Sequence, residues 1–409
     1  MSSIKNILGT EILDSNKKPT LAVTVELSDG SAGKFAVPSG TSTGLYEALE
    51  LRDNDPTRYH GQGVLKAVEV VNLKLKKLLI GQEANNQAKI DQMMIELDGT
   101  SNKSKLGANG ILGVSIAVAK AAANSSKLPL YQYLRQLLGT TGDQYNISLP
   151  MMVMIEGGKH GKENKLSFQE FLVIGPLTYG QKIWQSLRQI LVNQGRPETL
   201  GMEGGFASTF KNTEDALNFL ITAVTEAGYQ PGKNIYLAMD IAASQLKKDK
   251  YYLIDSETMT SDELIEYLQK LTNNCPIFAL EDPLSQDDWS SWTEITRRIG
   301  SKVKIIGDDL FVTNPTRIKE GIAQKATNAV LIKPNQVGTL SETLKTIKIA
   351  KDNNLDTVVS HRSGETFETF IADLAIASDS IALKAGAPNQ PVRLVKYQRL
   401  AEIEKEIAK

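Results

Sequence analysis

The chain has 409 residues, 41% hydrophobic and 23% charged, a formal net charge of −1 and a single cysteine, Cys275. That balance gives no footing to a nucleic-acid or membrane partner held by bulk charge, and one thiol excludes an intramolecular disulfide. No apolar run has the length that spans a bilayer, and the opening MSSIKNILGTEILDSNKKPT lacks the apolar core of a secretory signal, so the expectation is a cytoplasmic globular protein with room for two domains.

LAVTVEL alternates and ends at Asp29-Gly30, a hairpin signal, with KFAVP as the return strand. A polar, glycine-bearing stretch, PSGTSTG, follows at 38–44. From Gly63 to Ile80 the apolar residues Val64, Leu65, Val68, Val71, Leu75 and Leu78 recur at helical spacing. NNQAKIDQMMIELDGT predicts a second helix, with Asn as its cap and Gly99 just past its end. ANGILGVSIAVAKAAANSS predicts a third, apolar over so much of its surface that it should be buried. Together these elements make an α+β domain over 1–130.

After Lys127-Leu128-Pro129 the rhythm changes. Over 131–409 short apolar runs (NIYLAMD, PIFALED, KVKIIGDD, NAVLIK, DTVVSH, SIALKAG) alternate with amphipathic stretches such as SDELIEYLQKLTNN, TLSETLKTIKIAKDN and ETFETFIADLAIAS. Such alternation predicts a parallel α/β fold. The runs end, in order, at Asp240; at Glu281 and Asp282; at Asp308 and Asp309; at Lys333; at His361, Arg362 and Ser363; and at Lys384. A (β/α)8 barrel builds its active site at these C-terminal strand ends. Any one of them has a bland explanation as a solvated turn or a helix cap, and Asp309 reads equally well as a cap. The succession as a whole points to a site.

Asp240, Glu281 and Asp308 are hard oxygen donors from three neighbouring strands, a set that suits Mg²⁺. A lysine near a second cation and a divalent metal, Lys333 or Lys384, has its pKa lowered and can act as a base. Arg362, Ser363 and the N-terminal amides of the helix expected at GETFETF suit a phosphate. The combined chemistry is metal-assisted proton abstraction beside a carboxylate on a phosphorylated small molecule. One further acid, Glu203 in GMEGGFAS at 201–208, sits among glycines; alone it reads as a solvated loop residue.

Several long stretches resemble enolase: VPSGTSTGLYEALELRD, GILGVSIAVAKAAA, FQEF, EGGFA, AMDIAAS, ALEDPL, GDDLFVTNPTRI, LIKPNQVGTLSET, VVSHRSGET and KAGAPNQPVRLVKYQ. The resemblance runs almost end to end. It implies a C-terminal (β/α)8-type barrel that departs from strict alternation at its start, a smaller N-terminal α+β domain, and a homodimer or an assembly of dimers. The implied reaction is the reversible dehydration of 2-phosphoglycerate to phosphoenolpyruvate, with two Mg²⁺ per site, the second bound with substrate. By position, Asp240, Glu281 and Asp308 match the ligands of the first ion and Ser39 that of the second. Lys333 matches the base at C2, and Lys384 the partner of the substrate carboxylate. Arg362 and Ser363 match phosphate contacts. Glu203, supported by Glu170, matches the acid that helps the C3 hydroxyl leave; it must keep a proton near pH 7, and Glu170 is expected to raise its pKa. His160, Gln169 and His361 match residues lining the site. PSGTSTG and EGGKHG match lids.

The chain departs from the pattern at Glu156 (usually Asn), Met202 (usually Asp), Ser208 (usually Pro), Gln245 (usually Glu), Tyr46 (often His) and 16–18 (usually Arg-Gly-Asn). Met202 is expected to remove a negative neighbour of Glu203 and so ease its ionisation. The alternative reading is an enolase-like protein with weakened catalysis that binds host proteins such as plasminogen at a cell surface, for which the terminal Lys409 is the candidate feature.

Overall fold

A computed structural model describes residues 2–40, 44–140, 142, 144–161 and 164–408. The centre of the first expected lid, 41–43, and the terminal Lys409 lie outside the described residues. Three antiparallel strands begin the chain: β1 (Ile4–Leu13), β2 (Pro19–Leu27) and β3 (Ala32–Ala36). β2 and β3 are the expected hairpin, turned at Gly30 with φ 88°. β1 does not announce itself, because Ile4 and Ile7 are buried while Leu8 and Leu13 face solvent, so its apolar pattern has no clean period of two.

The helical spacing of 63–80 becomes a continuous helical stretch from Leu65 to Leu79 whose middle, Val70–Leu75, widens into a π turn. The next helix, Gln87–Asp98, begins where the Asn86 side chain accepts the Lys89 N–H at 3.2 Å and stops at Gly99, φ 70°. The third, Ala108–Ser125, is buried over almost its whole surface, as its composition demands. It packs directly on the hairpin: a Cβ on Gly33 would stand 2.2 Å from the Ala117 carbonyl oxygen.

The rest of the chain closes an eight-stranded barrel. Its first strands are β4 (Leu149–Glu156), β5 (Glu170–Ile174) and β6 (Tyr236–Asp240). A small antiparallel sheet follows, β7 (Lys247–Lys248), β8 (Tyr251–Ile254) and β9 (Glu257–Met259), which the strand–helix alternation gave no reason to expect. The barrel resumes with β10 (Ile277–Glu281), β11 (Lys304–Gly307), β12 (Ala329–Ile332), β13 (Asp356–Ser360) and β14 (Ala382–Lys384), which pairs with β4 to close the ring. β5 alone is antiparallel to both neighbours. Along β4, Met151 and Val153 fill the barrel while Met152 and Met154 face the surrounding helices, so both faces are apolar and the strands read as unbroken runs.

The connecting helices fall where the amphipathic stretches place them. Ser261–Asn274 starts at a capping box between Thr260 and Glu263, and Leu340–Asp352 starts with Thr339 accepting the Glu342 N–H. One helix differs. It was expected from GETFETF onward but spans only Phe370–Ala377. The Glu365 carboxylate accepts the N–H groups of Arg362 and Thr366, and Glu368 accepts those of Thr369 and Phe370, so local side-chain bonds hold the first half in a turn. Among the described residues no helix is long and apolar enough to cross a membrane.

Candidate active site

Asp240 ends β6, Glu281 ends β10, Asp308 follows β11, Lys333 follows β12, His361 follows β13 and Lys384 ends β14. These parallel strands therefore deliver six ionisable side chains to one end of the barrel. Because β5 runs the other way, its first residue meets them: Glu170 is in register with Asp240 on one side and with Glu156, the last residue of β4, on the other.

The carboxylates are buried and crowd one another. Burial and then Asp240 push Glu281 well above the usual carboxylate range; burial also raises Asp240 itself. Asp282 accepts the backbone N–H groups of Asp308 and Asp309, both at 2.9 Å, from a left-handed backbone with φ 41°. It thereby orients the turn that presents Asp308. Asp309 is not a helix cap, since Asn314 caps the following helix; burial and Asp308 raise it to about 7. The Oε1 atom of Glu281 is buried with no hydrogen-bond partner. Converging hard oxygens, mutual repulsion and an orphaned carboxylate oxygen together fit a divalent cation held by Asp240, Glu281 and Asp308.

Two ammonium groups supply the counter-charge. Lys384 Nζ lies 2.6 Å from Glu281, 2.9 Å from Glu170 and 3.0 Å from Asp240. Burial alone would lower its pKa, but these three carboxylates lift it well above the usual lysine value. Lys333 pairs with Asp308, and a ring of hydrogen bonds fixes the couple. The Lys333 N–H donates to Thr313 Oγ1 at 2.9 Å, Thr313 donates to Gln336 Oε1 at 2.8 Å, and Gln336 donates to Asp308 Oδ1 at 2.9 Å. Without a cation, burial pushes the Lys333 pKa down while Asp308 and Glu281 together more than offset it, so the net direction is upward; the expected lowering needs the divalent metal.

Glu203 is buried beside two imidazoles. His361 Nε2 lies 2.8 Å from its carboxylate and His160 Nδ1 3.8 Å away, with His160 also 3.2 Å from Glu170. Arg393 Nη1 is 2.6 Å from His361 Nδ1. A guanidinium can only donate, so Nδ1 must accept, which leaves His361 neutral with its proton on Nε2, facing Glu203. Burial works against ionisation of Glu203, yet the His361 contact, His160 and Arg393 hold it well below the usual range. The expectation that Glu170 raises Glu203 is therefore not met. In this cluster it is the Glu156 carboxyl that is pushed upward, to about 8, by burial, Glu203 and Glu170. Met202 accepts from Arg393 through its carbonyl at 3.5 Å and lines a separate cleft with Asp14 and Glu365.

At the other side Arg362 makes a two-pronged pair with Glu47, at 2.8 and 3.2 Å, and donates to Asn335 at 3.0 Å. Ser363 borders the same cleft, and Gly40 passes so close that a Cβ there would meet the Arg362 guanidinium at 2.0 Å. Since the helix begins only at Phe370, its N-terminal amides are not part of this end. The Ser39 hydroxyl donates to Asp14 at 2.8 Å, while its backbone pairs with Gly364. Gln169 donates to Asp240 at 3.1 Å and accepts from Gln245 at 3.2 Å, so the Gln at 245 continues a chain of amides. Tyr46 donates to Asp287 at 2.9 Å and stacks under Arg317.

Sequence reasoning assigned no role to Glu47, Asp282, Gln336 or Arg393. The available signal was weak: Glu47 and Arg393 lie in charged segments whose default is solvent, and Asp282 reads as a spare strand-end acid. Comparison with family models agrees with the geometry. The model described as enolase, N-terminal domain, matches residues 4–134, and that described as enolase, C-terminal TIM barrel domain, matches residues 144–409. With the closed barrel and its antiparallel second strand, these matches cover nearly the whole chain, which belongs to the enolase family.

Proposed function

We propose that the chain is a Mg²⁺-dependent phosphopyruvate hydratase, a carbon–oxygen lyase that interconverts 2-phosphoglycerate and phosphoenolpyruvate in glycolysis and gluconeogenesis. The observation that carries this reading is the meeting, at one barrel end, of three carboxylates fit for a hard cation, two lysines and a buried glutamate–imidazole cluster. When bound, Mg²⁺ supplies positive charge to the substrate carboxylate, where negative charge develops as the C2 proton leaves. Asp240, Glu281 and Asp308 would hold it. The Ser39 hydroxyl donates to Asp14 and keeps its oxygen lone pairs, so Ser39 remains the proposed ligand of a second Mg²⁺ bound with substrate.

Lys333 takes or returns the C2 proton, with the Thr313–Gln336–Asp308 ring setting its position. β12 and β5 stand four places apart in the ring of eight strands, so Lys333 and Glu170 face each other across the barrel. Glu203, beside Glu170 through His160, handles the oxygen at C3 from that second side. Hydroxide is a poor leaving group and must gain a proton as it departs. Among the protein's own groups Lys333 is the protonated partner and Glu203 the carboxylate. That is the state in which elimination ends and addition begins. Lys384 faces the substrate carboxylate, and Arg362 with Ser363 faces its phosphate. The test follows phosphoenolpyruvate by ultraviolet absorbance, with Mg²⁺ and with chelator, for the native chain and Lys333→Ala. Mg²⁺-dependent product from the native chain alone supports the reading; none from the native chain rejects it.

A further inference from the structure

Glu156 lies at the end of β4, fully buried, directly beneath the loop that carries Glu203. Its Oε1 accepts the Gly205 N–H at 2.7 Å and the Glu203 N–H at 3.1 Å; Oε2 is also 3.1 Å from the Glu203 nitrogen. The backbone repeats the attachment, with the Phe206 N–H donating to Met154 and the Glu156 N–H donating to Phe206. The bare glycines of the loop make room for the carboxyl. A Cβ on Gly201 would stand 2.5 Å from Glu156 Cδ, and one on Gly205 would stand 3.2 Å from its Cγ. Glycine at 201 is thus required by what lies under the loop. An Asn at 156, the residue usual in the family, is a methylene shorter and cannot ionise.

We propose that Glu156 is a positioning residue for Glu203: its carboxyl fastens the backbone of the acid loop from below, and its ionisation sets a second negative charge behind Glu203. The inference rests on the proposed reaction for its kinetic consequence only. The groups facing Glu156 are the Glu203 carboxylate from the loop, the Glu170 carboxylate from β5 and the His160 imidazole from the segment after β4. Two of the three are negative, so the position favours the neutral acid, whose carbonyl oxygen serves both N–H groups. Above about pH 8 the proton leaves. A second buried negative charge then stands behind Glu203 and drives it to reprotonate or to move.

The experiment compares the native chain with Glu156→Gln and Glu156→Ala. Gln keeps one oxygen for the two N–H groups and cannot ionise; Ala removes the support. Infrared spectra across pH 6 to 10 read the carboxylic-acid carbonyl band directly. Because Asp309, raised to about 7, titrates in both proteins, the expected result is a band in the native-minus-Glu156→Gln difference spectrum that disappears around pH 8. Amide exchange at Glu203 and Gly205 is expected to accelerate in Glu156→Ala, which lacks the acceptor, and to stay slow in Glu156→Gln; equal protection in all three proteins would overturn the positioning role. In the pH–rate profile, Glu156→Gln should lose an alkaline limb that the native chain shows, while Glu156→Ala lowers kcat about tenfold to a hundredfold with a smaller change in KM, as loosening of an acid group predicts. A difference spectrum without that band, or an alkaline limb that persists in Glu156→Gln, overturns the ionisation half of the proposal. If the native chain has no hydratase activity the proposed reaction fails, and the infrared and exchange results still decide Glu156. If Glu156→Ala does not fold, Glu156→Gln decides it.

Discussion

Glu47 and Arg362 form a pair buried on both sides, with 5% of each side chain exposed. Replacing Glu47 by Ala removes two charge-assisted bonds to Arg362 and the acceptor of the Gly44 N–H at 2.9 Å. The guanidinium then keeps its Asn335 contact and the more distant charges of Asp308 and Glu50 but loses its hydrogen-bonded carboxylate. Breaking a buried pair from one side costs about 3–5 kcal/mol, because the remaining charge stays out of water. For a chain of 409 residues that corresponds to a fall in Tm of about 4–6 °C. If Arg362 is also the phosphate contact, inorganic phosphate should restore part of the loss. Phosphate should therefore raise the Tm of Glu47→Ala by more than it raises that of the native chain, where Arg362 is already paired. Thermal unfolding of both proteins with and without phosphate measures this. A loss below about 1 kcal/mol refutes the buried-pair argument, and equal phosphate shifts refute the assignment of Arg362 to the phosphate.

Three further outcomes follow from the same geometry. Glu156 has a folded-state pKa above its ordinary 4.5, so the folded chain binds the extra proton and native stability falls as pH rises from about 4.5 to about 8; urea unfolding should show Glu156→Gln without that slope, its advantage growing across the window. His361 is neutral with its proton on Nε2, and in a chain with three histidines ¹⁵N imidazole spectra can read this directly; Arg393→Met should abolish the fixed tautomer, and a native His361 protonated on Nδ1 contradicts the Arg393 argument. Gly33→Ala forces a Cβ to 2.2 Å from the Ala117 carbonyl oxygen, so it should destabilise the N-terminal domain by about 1–3 kcal/mol by denaturant unfolding, and a neutral result would show that the helix can lift off the sheet.

Much of the barrel was legible because parallel strands buried on both faces leave continuous apolar runs, and an ionisable residue marks where each run leaves the core. Asp240, Glu281, Asp308, Lys333 and Lys384 were readable on that ground alone. β5 was harder: nothing in EFLVI tells its direction, which is set by pairing with β4 and β6. Glu156 ends the run MMVMIE and so reads as one more strand-end charge near a lid; only the descent of the 201–206 loop onto it makes it a buried acid. Arg393 sits in PVRLVKYQRLAEIEKEI, a charged helix whose default is solvent, yet it is fully buried against His361. The protonation states were the least legible, since they depend on which charges face each other. Sequence neighbours could not reveal that Asp308 and Glu281 together would offset the burial of Lys333, or that His361, His160 and Arg393 together would offset that of Glu203.

The central claim is that Lys333 moves the proton at C2 while Glu203 acts at the C3 oxygen. Exchange of the C2 hydrogen of 2-phosphoglycerate with deuterated solvent, followed by NMR in the presence of Mg²⁺, separates the two steps. The native chain should exchange it, Glu203→Gln should still exchange it while forming little phosphoenolpyruvate, and Lys333→Ala should do neither. Exchange that survives in Lys333→Ala would contradict the assignment.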